Sequence, residues 1–381
     1  MRECGNNSDV VRTFPHSVIP TFTGRLVTHP IAVIPGDGIG PEVIRAALPV
    51  IEKAAGLEGA KLAFEMLPYS ADHYLKTGVT LPEDAFQHLK NRVDGILLGA
   101  LGDPRVPDNE HARDILLGLR FRLDLFINFR PVSLLHPGLS PFKGKWQAAG
   151  SRKGRTIDFV VFRENTEGQY QGLGRAEKVG TADEKQVPEE IHTRKGVERI
   201  IDAAFRWAQA HGRTRVTLCD KANAVPHQRI WGRIFGEVGA NYPGIEREHR
   251  YVDALAMELV RNPERFQVIV ANNLYVDILS DLGAGLVGGL GLAASANLHP
   301  GRAGLFEPVH GSAPPLAGKN VANPMAAILT GGLMLESLGF PKASERLERA
   351  VRSVLADGPT TPDIGGEGGT DEVARAVSEA L

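Results

Sequence analysis

Cysteine is scarce in this chain of 381 residues, which contains only Cys4 and Cys219. Two cysteines do not form the framework of a small disulfide-stabilised secreted domain, so a reducing cytoplasm is the expected compartment. The chain also lacks an apolar run near the roughly 20 residues that a transmembrane helix needs. These absences argue against a disulfide scaffold and predict that no membrane is a partner.

An excess of charge of either sign is missing as well. The 43 Lys and Arg residues nearly balance the 45 Asp and Glu residues, for a formal net charge of −2. Nucleic-acid-binding proteins usually carry a basic field and membrane-surface proteins a basic run, so the composition predicts neither partner. The first 27 residues lack the apolar segment of a signal peptide, and we interpret residues 1–27 as a leader of unknown role.

What the chain does contain is a regular alternation of short apolar runs with helical segments. Five of these runs read as buried strands, "IAVI", "KLAFEML", "DFVVFREN", "RVTLCD" and "FQVIV". Strands that alternate with helices are typical of an α/β protein with a mostly parallel sheet. Residues 174–196 are charged and rich in turn residues, which predicts an exposed arm or hairpin rather than a core element.

A glycine-rich turn, "GDGIG" at residues 36–40, follows the first strand and precedes a helix. It lacks the final spacing of the dinucleotide fingerprint G-x-G-x-x-G, and no acidic residue clearly ends the second strand. We therefore favour a tight turn close to a bound ligand over an ordinary Rossmann motif.

Two aspartates, Asp277 and Asp281, lie four residues apart in a helical segment and so share one face. A like-charge pair at this spacing costs a few tenths of a kcal/mol, which predicts a positive group between them. Asp253 supplies a third carboxylate after another apolar stretch. Carboxylates without nearby Cys or His favour Mg²⁺ or Mn²⁺. The alternative is that Asp277 and Asp281 are ordinary surface residues of a helix.

Several cationic side chains lie at the ends of predicted elements, and their charge suits a substrate that carries carboxylates. Arg120, Arg130 and Arg163 lie at or beside such ends, and guanidinium groups bind carboxylates in a bidentate geometry. Lys221 ends a predicted strand and Tyr170 follows another, and both side chains are suited to proton transfer. Any one of these arginines taken alone is more often a surface residue, and neither Lys221 nor Tyr170 indicates a role in isolation.

Five segments together resemble one family, "IPGDGIGPEV", "FRENTEGQY", "DKAN", "NNLYVDILSD" and "FEPVHGSAPPLAGKNVANP". From about residue 30 to its end the chain is similar to the β-decarboxylating dehydrogenases, the isocitrate and 3-isopropylmalate dehydrogenases. The resemblance implies two α/β domains around a mixed, mostly parallel sheet, with the active site in the interdomain cleft. It implies a cofactor-binding domain of residues 28–125 plus 288–381, and a substrate, metal and dimerisation domain of residues 126–287.

The resemblance also implies a reaction and a role for each polar candidate. A 3-substituted malate is oxidised at C2 and then loses its 3-carboxylate. Lys221, which usually reaches from the partner subunit in this family, is the base or the holder of a base water, and Tyr170 is the acid. Three arginines correspond to the residues that hold the malate carboxylates, Arg120, Arg130 and Arg163. Three carboxylates correspond to ligands of Mg²⁺ or Mn²⁺, Asp277, Asp281 and, lent by the neighbouring subunit and touching substrate, Asp253. The active unit implied is a homodimer with shared active sites.

Leu116 and Leu117 precede Arg120 by four and three residues and share its helical face. An apolar pair there resembles the 3-isopropylmalate members, so the best candidate reaction is 3-isopropylmalate to 4-methyl-2-oxopentanoate in leucine biosynthesis. Tartrate, D-malate or another substituted malate is the alternative, since both leucines could belong to the core and Arg113 could meet an anionic substituent. A third interpretation is that the chain is a non-catalytic regulatory subunit.

The resemblance implies a cofactor site formed by Glu307, His310, Gly311, Ser312, Ala313 and Asn323. NAD-using members have an aspartate after Ala-Pro in this loop, and NADP-using members tend to have lysine then tyrosine, whereas this chain has Pro315-Leu316. Without a cation for a 2′-phosphate, NAD is predicted and NADP stays open. Val276 also replaces a glycine that is common in the family's metal-binding helix.

Overall fold

The computed structural model describes residues 28–142, 146–148 and 155–381. The predicted leader, residues 1–27, lies outside the described residues, as does Cys4. Cys219 is buried and is not in a disulfide.

The strands begin and end as follows: β1 Thr28–Ile34, β2 Lys61–Met66, β3 Gly95–Leu98, β4 Ile127–Ser133, β5 Trp146–Gln147, β6 Arg155–Thr156, β7 Asp158–Glu164, β8 Gly174–Glu177, β9 Lys185–Pro188, β10 Arg215–Asp220, β11 Glu246–Tyr251, β12 Val268–Ala271, β13 Ala294–Leu298 and β14 Gly304–Pro308. Ten of them form one sheet in the order β11-β10-β12-β7-β4-β13-β14-β3-β1-β2. The pairs β4–β7, β13–β4 and β13–β14 are antiparallel, and the other pairs are parallel. The predicted α/β class with a mixed, mostly parallel sheet is confirmed.

The helices of the described residues are α1 Gly40–Leu57, α2 Ala71–Thr77, α3 Glu83–Asn91, α4 Glu110–Ala112, α5 Gly118–Arg122, α6 Arg194–Ala210, α7 Arg229–Gly239, α8 Val252–Arg261, α9 Asn273–Val287, α10 Met325–Ser337, α11 Pro341–Asp357 and α12 Thr370–Glu379. A π-helical turn, Arg113–Leu117, joins α4 to α5. Helix α10 is apolar nearly all round, and it is buried against β13 and β14. Helices α6 and α9 pack against β7. None of the described helices has the length and apolar character to cross a bilayer.

The strand order separates two parts of the chain. Strands from residues 127–271 lie on one side of the β4–β13 pair, and strands from residues 28–98 and 294–308 lie on the other. This order is compatible with the predicted domains, residues 28–125 plus 288–381 and residues 126–287. The domain boundaries themselves stay a prediction.

The charged segment predicted to be an arm or hairpin forms a separate two-stranded antiparallel sheet, β8–β9. Most residues of the two strands and the turn between them are exposed, so the prediction is confirmed.

Candidate active site

The glycine-rich turn packs against the loop that follows β14. Gly36 and Gly38 have φ of +75° and +57°, which glycine adopts without strain. A Cβ atom on Gly38 would lie 1.9 Å from the carbonyl oxygen of Ser312, and one on Gly36 would lie 2.1 Å from that of Ala100. The backbone N–H of Ile39 also donates to the Ser312 carbonyl oxygen at 2.8 Å. The tight turn is confirmed, whereas its closeness to a bound ligand stays a prediction. These close approaches explain why glycine is required.

A cleft of about 360 Å³ lies beside the β4–β13 pair and is lined from both sides of it. Ten of the predicted site residues line this cleft, Leu116, Leu117, Arg120, Arg130, Arg163, Tyr170, Asp277, Glu307, His310 and Gly311. Positions separated by up to almost 200 residues in the sequence therefore meet in one place. The cleft is the candidate active site.

The carboxylate of Asp277 lines the cleft and contacts Arg163, Tyr170 and Arg130. Nη1 of Arg163 donates to its Oδ1 at 2.5 Å, and the hydroxyl of Tyr170 donates to its Oδ2 at 2.6 Å. Nη2 of Arg130 lies 3.3 Å from Oδ1. Burial would raise the pKa of Asp277, but the guanidiniums of Arg163 and Arg130 outweigh it and lower that pKa. The group is thus an anion at neutral pH.

Arg130 also reaches the second carboxylate of the pair. Its Nη1 lies 3.5 Å from Oδ1 of Asp281, which is half exposed. Burial, with the nearby charge of Asp277, raises the pKa of Asp281 although Arg130 opposes the shift. In this structure the positive group that the spacing predicts between the two aspartates is the Arg130 guanidinium.

Tyr170 is suited to hold a proton in this cleft. Burial and the hydrogen bond to Asp277 both raise the pKa of its hydroxyl, because the phenolate would be desolvated and would face a carboxylate. The hydroxyl is therefore protonated at neutral pH and able to donate.

Buried amides connect two of the arginines across the middle of the sheet. Nη2 of Arg120 donates to Oε1 of Glu307 at 2.6 Å, and the amide of Asn297 donates to the same oxygen at 2.9 Å. Asn297 accepts from Asn128 at 2.8 Å, and Oδ1 of Asn128 accepts from Nε of Arg130 at 2.9 Å. Sequence reasoning missed both asparagines. The signal that could have identified them is a polar amide side chain within a mostly apolar strand.

Arg163 is held by a residue that sequence reasoning also missed. Its Nε donates to Oδ1 of Asn273 at 2.8 Å, and its side chain is almost fully buried. Burial lowers the pKa of Arg163, but an arginine stays charged near neutral pH. The guanidiniums of Arg120, Arg130 and Arg163 are therefore fixed in place by buried acceptors.

Lys221 and Asp253 pair with each other outside this cleft. Nζ of Lys221 lies 2.7 Å from Oδ1 of Asp253, and the hydrogen bond from Lys221 lowers the pKa of that carboxyl. Asp253 is 68% exposed in the first turn of α8. Neither side chain lines the cleft.

The described residues contain no group of three His, Cys, Asp or Glu side chains that could hold a metal ion within one chain. The chain brings together two of the three predicted ligands, Asp277 and Asp281, on one face of α9. Their donor atoms are carboxylate oxygens, which suit the hard cations Mg²⁺ and Mn²⁺. The donor set therefore fits such an ion when a further oxygen ligand is supplied, and the role of Asp253 as that ligand stays a prediction.

The six predicted cofactor residues divide into two groups. Glu307, His310 and Gly311 line the cleft, whereas Ser312, Ala313 and Asn323 do not. Burial lowers the pKa of His310, so its imidazole is neutral at pH 7. Asn323 donates to Asp363 at 3.1 Å and accepts from the backbone N–H of Met325 at 3.0 Å.

Three side chains from the turn before α5 line the cleft where a substituent could lie. Leu116 and Leu117 are half-buried, and Leu116 also packs against the core. Arg113 is exposed, and its Nε lies 4.0 Å from Oδ1 of Asp114. At this place the cleft therefore presents the apolar surface of Leu116 and Leu117 and the positive charge of Arg113.

Known proteins resemble this chain along nearly all of its length. A family model described as isocitrate/isopropylmalate dehydrogenase matches residues 30–377. A tartrate dehydrogenase/decarboxylase of Pseudomonas putida is 42% identical, over 92% of this chain and 97% of that protein. A 3-isopropylmalate dehydrogenase of Thermobifida fusca (strain YX) is 41% identical, over 92% of this chain and 98% of that protein.

The fold also matches a solved structure. The crystal structure of isocitrate dehydrogenase from Methylococcus capsulatus superposes with a TM-score of 0.83 at 39% sequence identity. The match covers 92% of this chain and 99% of that one. Proteins named for different substrates are thus similar to this chain to nearly the same degree.

Proposed function

The chain belongs to the isocitrate/isopropylmalate dehydrogenase family of oxidoreductases, and we propose that it catalyses the metal-dependent oxidative decarboxylation of a 3-substituted malate with NAD as hydride acceptor. The observation that carries this proposal is the convergence of three guanidiniums, Arg120, Arg130 and Arg163, with Asp277 and Tyr170 in one cleft. A dicarboxylate substrate needs such a cationic wall, and the chemistry needs a proton donor and an oxygen ligand beside it.

In this proposal the arginines hold the two carboxylates of the malate by paired N–H···O bonds. Lys221 of a neighbouring subunit removes the proton of the C2 hydroxyl, directly or through a water, while C2 loses a hydride to the nicotinamide. The residues that would hold Mg²⁺ or Mn²⁺ are Asp277, Asp281 and the Asp253 of a neighbouring subunit. When bound, such an ion lowers the pKa of the hydroxyl and stabilises negative charge on the C2 oxygen.

Tyr170 supplies the proton that completes the reaction. Loss of the 3-carboxylate as CO₂ leaves an enolate, whose C3 must be protonated to give the oxo acid. The raised pKa of Tyr170 keeps its proton available until that stage. Its hydrogen bond to Asp277 holds the hydroxyl in the wall that faces the substrate.

The substrate that we favour is 3-isopropylmalate, which yields 4-methyl-2-oxopentanoate for leucine synthesis. Leu116 and Leu117 line the cleft, and burying an apolar substituent there is worth roughly 1–3 kcal/mol. The second candidate is a malate with a polar or absent substituent, tartrate or D-malate. The position of Arg113 in the same cleft favours it, because a cation is a poor neighbour for an isopropyl group.

A substrate panel separates these candidates. We expect NAD⁺ reduction in the presence of Mn²⁺ to show a kcat/KM for 3-isopropylmalate at least about tenfold above those for D-malate and tartrate. A higher value for tartrate or D-malate would select the second candidate. No turnover of any substituted malate with either NAD⁺ or NADP⁺ would reject the proposed function.

Pro315 gives a direct test of the cofactor choice. It is exposed on the turn Pro314–Leu316, where an acid could reach the adenosine ribose hydroxyls. Pro315→Asp is expected to lower KM for NAD⁺ by about tenfold, since a charge-assisted hydrogen bond is worth roughly 1.5–3 kcal/mol. Pro315→Ala is the matched control, and it should leave KM within a factor of about two. Equal effects of the two substitutions would contradict a role for position 315 in ribose binding.

An apolar surface beside the predicted metal ligands supports a homodimer. Met257 and Val260 on α8 and Ile278 on α9 are 53%, 41% and 57% exposed, and the two helices pack against each other. Asp253 lies in the first turn of the same α8. A second copy that covers this surface would bring its own Asp253 towards the cleft, which one chain does not achieve. We therefore propose a two-fold dimer with shared active sites.

Met257→Glu tests this dimer. A carboxylate in the apolar centre of an interface would be desolvated, so the dimer dissociation constant is expected to rise by about a hundredfold or more. Sedimentation should show dissociation together with loss of turnover. Met66→Glu is the control, because Met66 is 54% exposed on the edge strand β2 at the far end of the sheet. A dimer that survives Met257→Glu would contradict the proposed interface.

A further inference from the structure

One buried carboxylate outside the cleft collects donors from several parts of the chain. Glu190 lies between β9 and α6, and its side chain is 9% exposed. The amides of Gln228 and Asn272 both donate to it at 3.1 Å. Nε2 of His227 lies 2.9 Å from one carboxylate oxygen and Nε2 of His192 lies 3.0 Å from the other. The proposed reaction uses none of these side chains.

Two of these contacts lead to the catalytic elements. Oε1 of Gln228 accepts the backbone N–H of Lys221 at 2.9 Å, so Glu190 holds the amide that fixes the Lys221 backbone. Asn272 is the N-cap of α9, where its Oδ1 accepts from the backbone N–H of Tyr275 at 2.9 Å. The amide of Gln228 also donates to the Tyr275 hydroxyl at 3.1 Å. Glu190 is therefore joined to the start of α9 and to residues 221–225, the loop after β10 that we call the Lys221 loop.

The carboxylate is charged at any working pH. Burial alone would raise the pKa of Glu190, but the neighbouring imidazoles of His192 and His227 and the amide of Gln228 lower it to about 2. Hydrogen bonds to a charged acceptor are roughly twice as strong as those between neutral groups. A neutral isostere at this position would consequently weaken the hold on both amides.

We propose that Glu190 is a positioning residue for the reaction, which fixes the Lys221 loop relative to the N-terminus of the helix that carries Asp277 and Asp281. This inference rests on the proposed function for the roles of those three residues. In a dimer with shared sites, Lys221 serves the cleft of the neighbouring subunit while Asp277 serves its own. Glu190 then ties together groups that belong to two different active sites.

Glu190→Gln tests the link, because it keeps the shape of the side chain and removes its charge. We expect kcat to fall by about tenfold or more and KM for NAD⁺ to stay within about twofold of the wild-type value. Losses of this size follow when a residue that orients a site residue is removed. Amide hydrogen exchange should become faster at Lys221 and at the first turn of α9. Unchanged exchange at these amides together with wild-type kcat would overturn the proposal.

A double-mutant cycle shows whether Glu190 acts through Gln228. In a Gln228→Ala background, Glu190→Gln should lower kcat by less than about twofold further, because residues in one network are non-additive. Fully multiplicative effects would overturn the link. His227→Asn is the control, since His227 touches the same carboxylate but is 57% exposed. It should leave kcat within about twofold.

The experiment stays decisive if the proposed function fails. Should the wild-type protein turn over no substituted malate, the exchange measurement alone decides. Faster exchange at Lys221 and at the first turn of α9 in Glu190→Gln, but not in His227→Asn, would support the link without any activity. The same exchange in all three proteins would overturn it.

Discussion

A Lys221→Met variant is expected to lose about a thousandfold in kcat, because general acid–base groups contribute roughly 10²–10⁴ to rate. Methionine keeps most of the length of the side chain and removes the amine that lies 2.7 Å from Asp253. Asp253 is largely exposed and is hydrated without its partner, so the fold should be little affected. Steady-state rates with the best substrate of the panel, together with thermal unfolding, measure both effects.

Lys195→Met is the control for that loss. Lys195 is exposed in the first turn of α6, and its replacement should leave kcat within about twofold. An unchanged rate in Lys221→Met would remove Lys221 from the catalytic machinery. A wild-type protein that binds NAD⁺ yet turns over nothing would instead favour the regulatory-subunit reading.

Asp277→Asn is expected to lower kcat by about a hundredfold and to raise the Mn²⁺ concentration for half-maximal activity by about tenfold or more, as for the loss of a charged ligand. The amide keeps the shape of the side chain but loses the negative charge. That charge now faces Arg163 and Arg130, and it would also face a bound ion. A Mn²⁺ titration of activity measures the change.

Asp371→Asn is the matched control for a lost carboxylate. Asp371 pairs with Arg45 on an exposed surface in α12, so its replacement should shift neither kcat nor the Mn²⁺ requirement beyond about twofold. If the Mn²⁺ titration of Asp277→Asn coincides with that of Asp371→Asn, Asp277 is not a metal ligand.

The class of the fold could be predicted from the sequence, whereas the direction of the central strands could not. Runs such as "DFVVFREN" and "FQVIV" became β7 and β12, which are buried and pair in parallel. Strand β4 pairs antiparallel with both of its neighbours, β7 and β13. A strand buried on both faces reads as a continuous apolar run whichever way it points, so its direction leaves no mark in the pattern.

The site shows a similar division. The spacing of Asp277 and Asp281 alone predicted a shared face and a positive neighbour, because helical geometry is local. The sequence could not predict that this neighbour is Arg130, because the contact depends on how β4 lies against α9. Asn128 and Asn297 are 169 residues apart and meet only because their strands pair. The assignment of roles needed the family resemblance, and those roles stay proposals.

The measurement that tests the account most directly is complementation between two inactive variants. Co-expressed Lys221→Met and Asp277→Asn chains should form some mixed dimers in which one site carries both defects and the other carries none. Random pairing then predicts recovery of about a quarter of wild-type activity, because half of the dimers are mixed and each has one intact site. Activity no higher than that of either variant alone, in a preparation shown to contain mixed dimers, would contradict an active site shared between subunits.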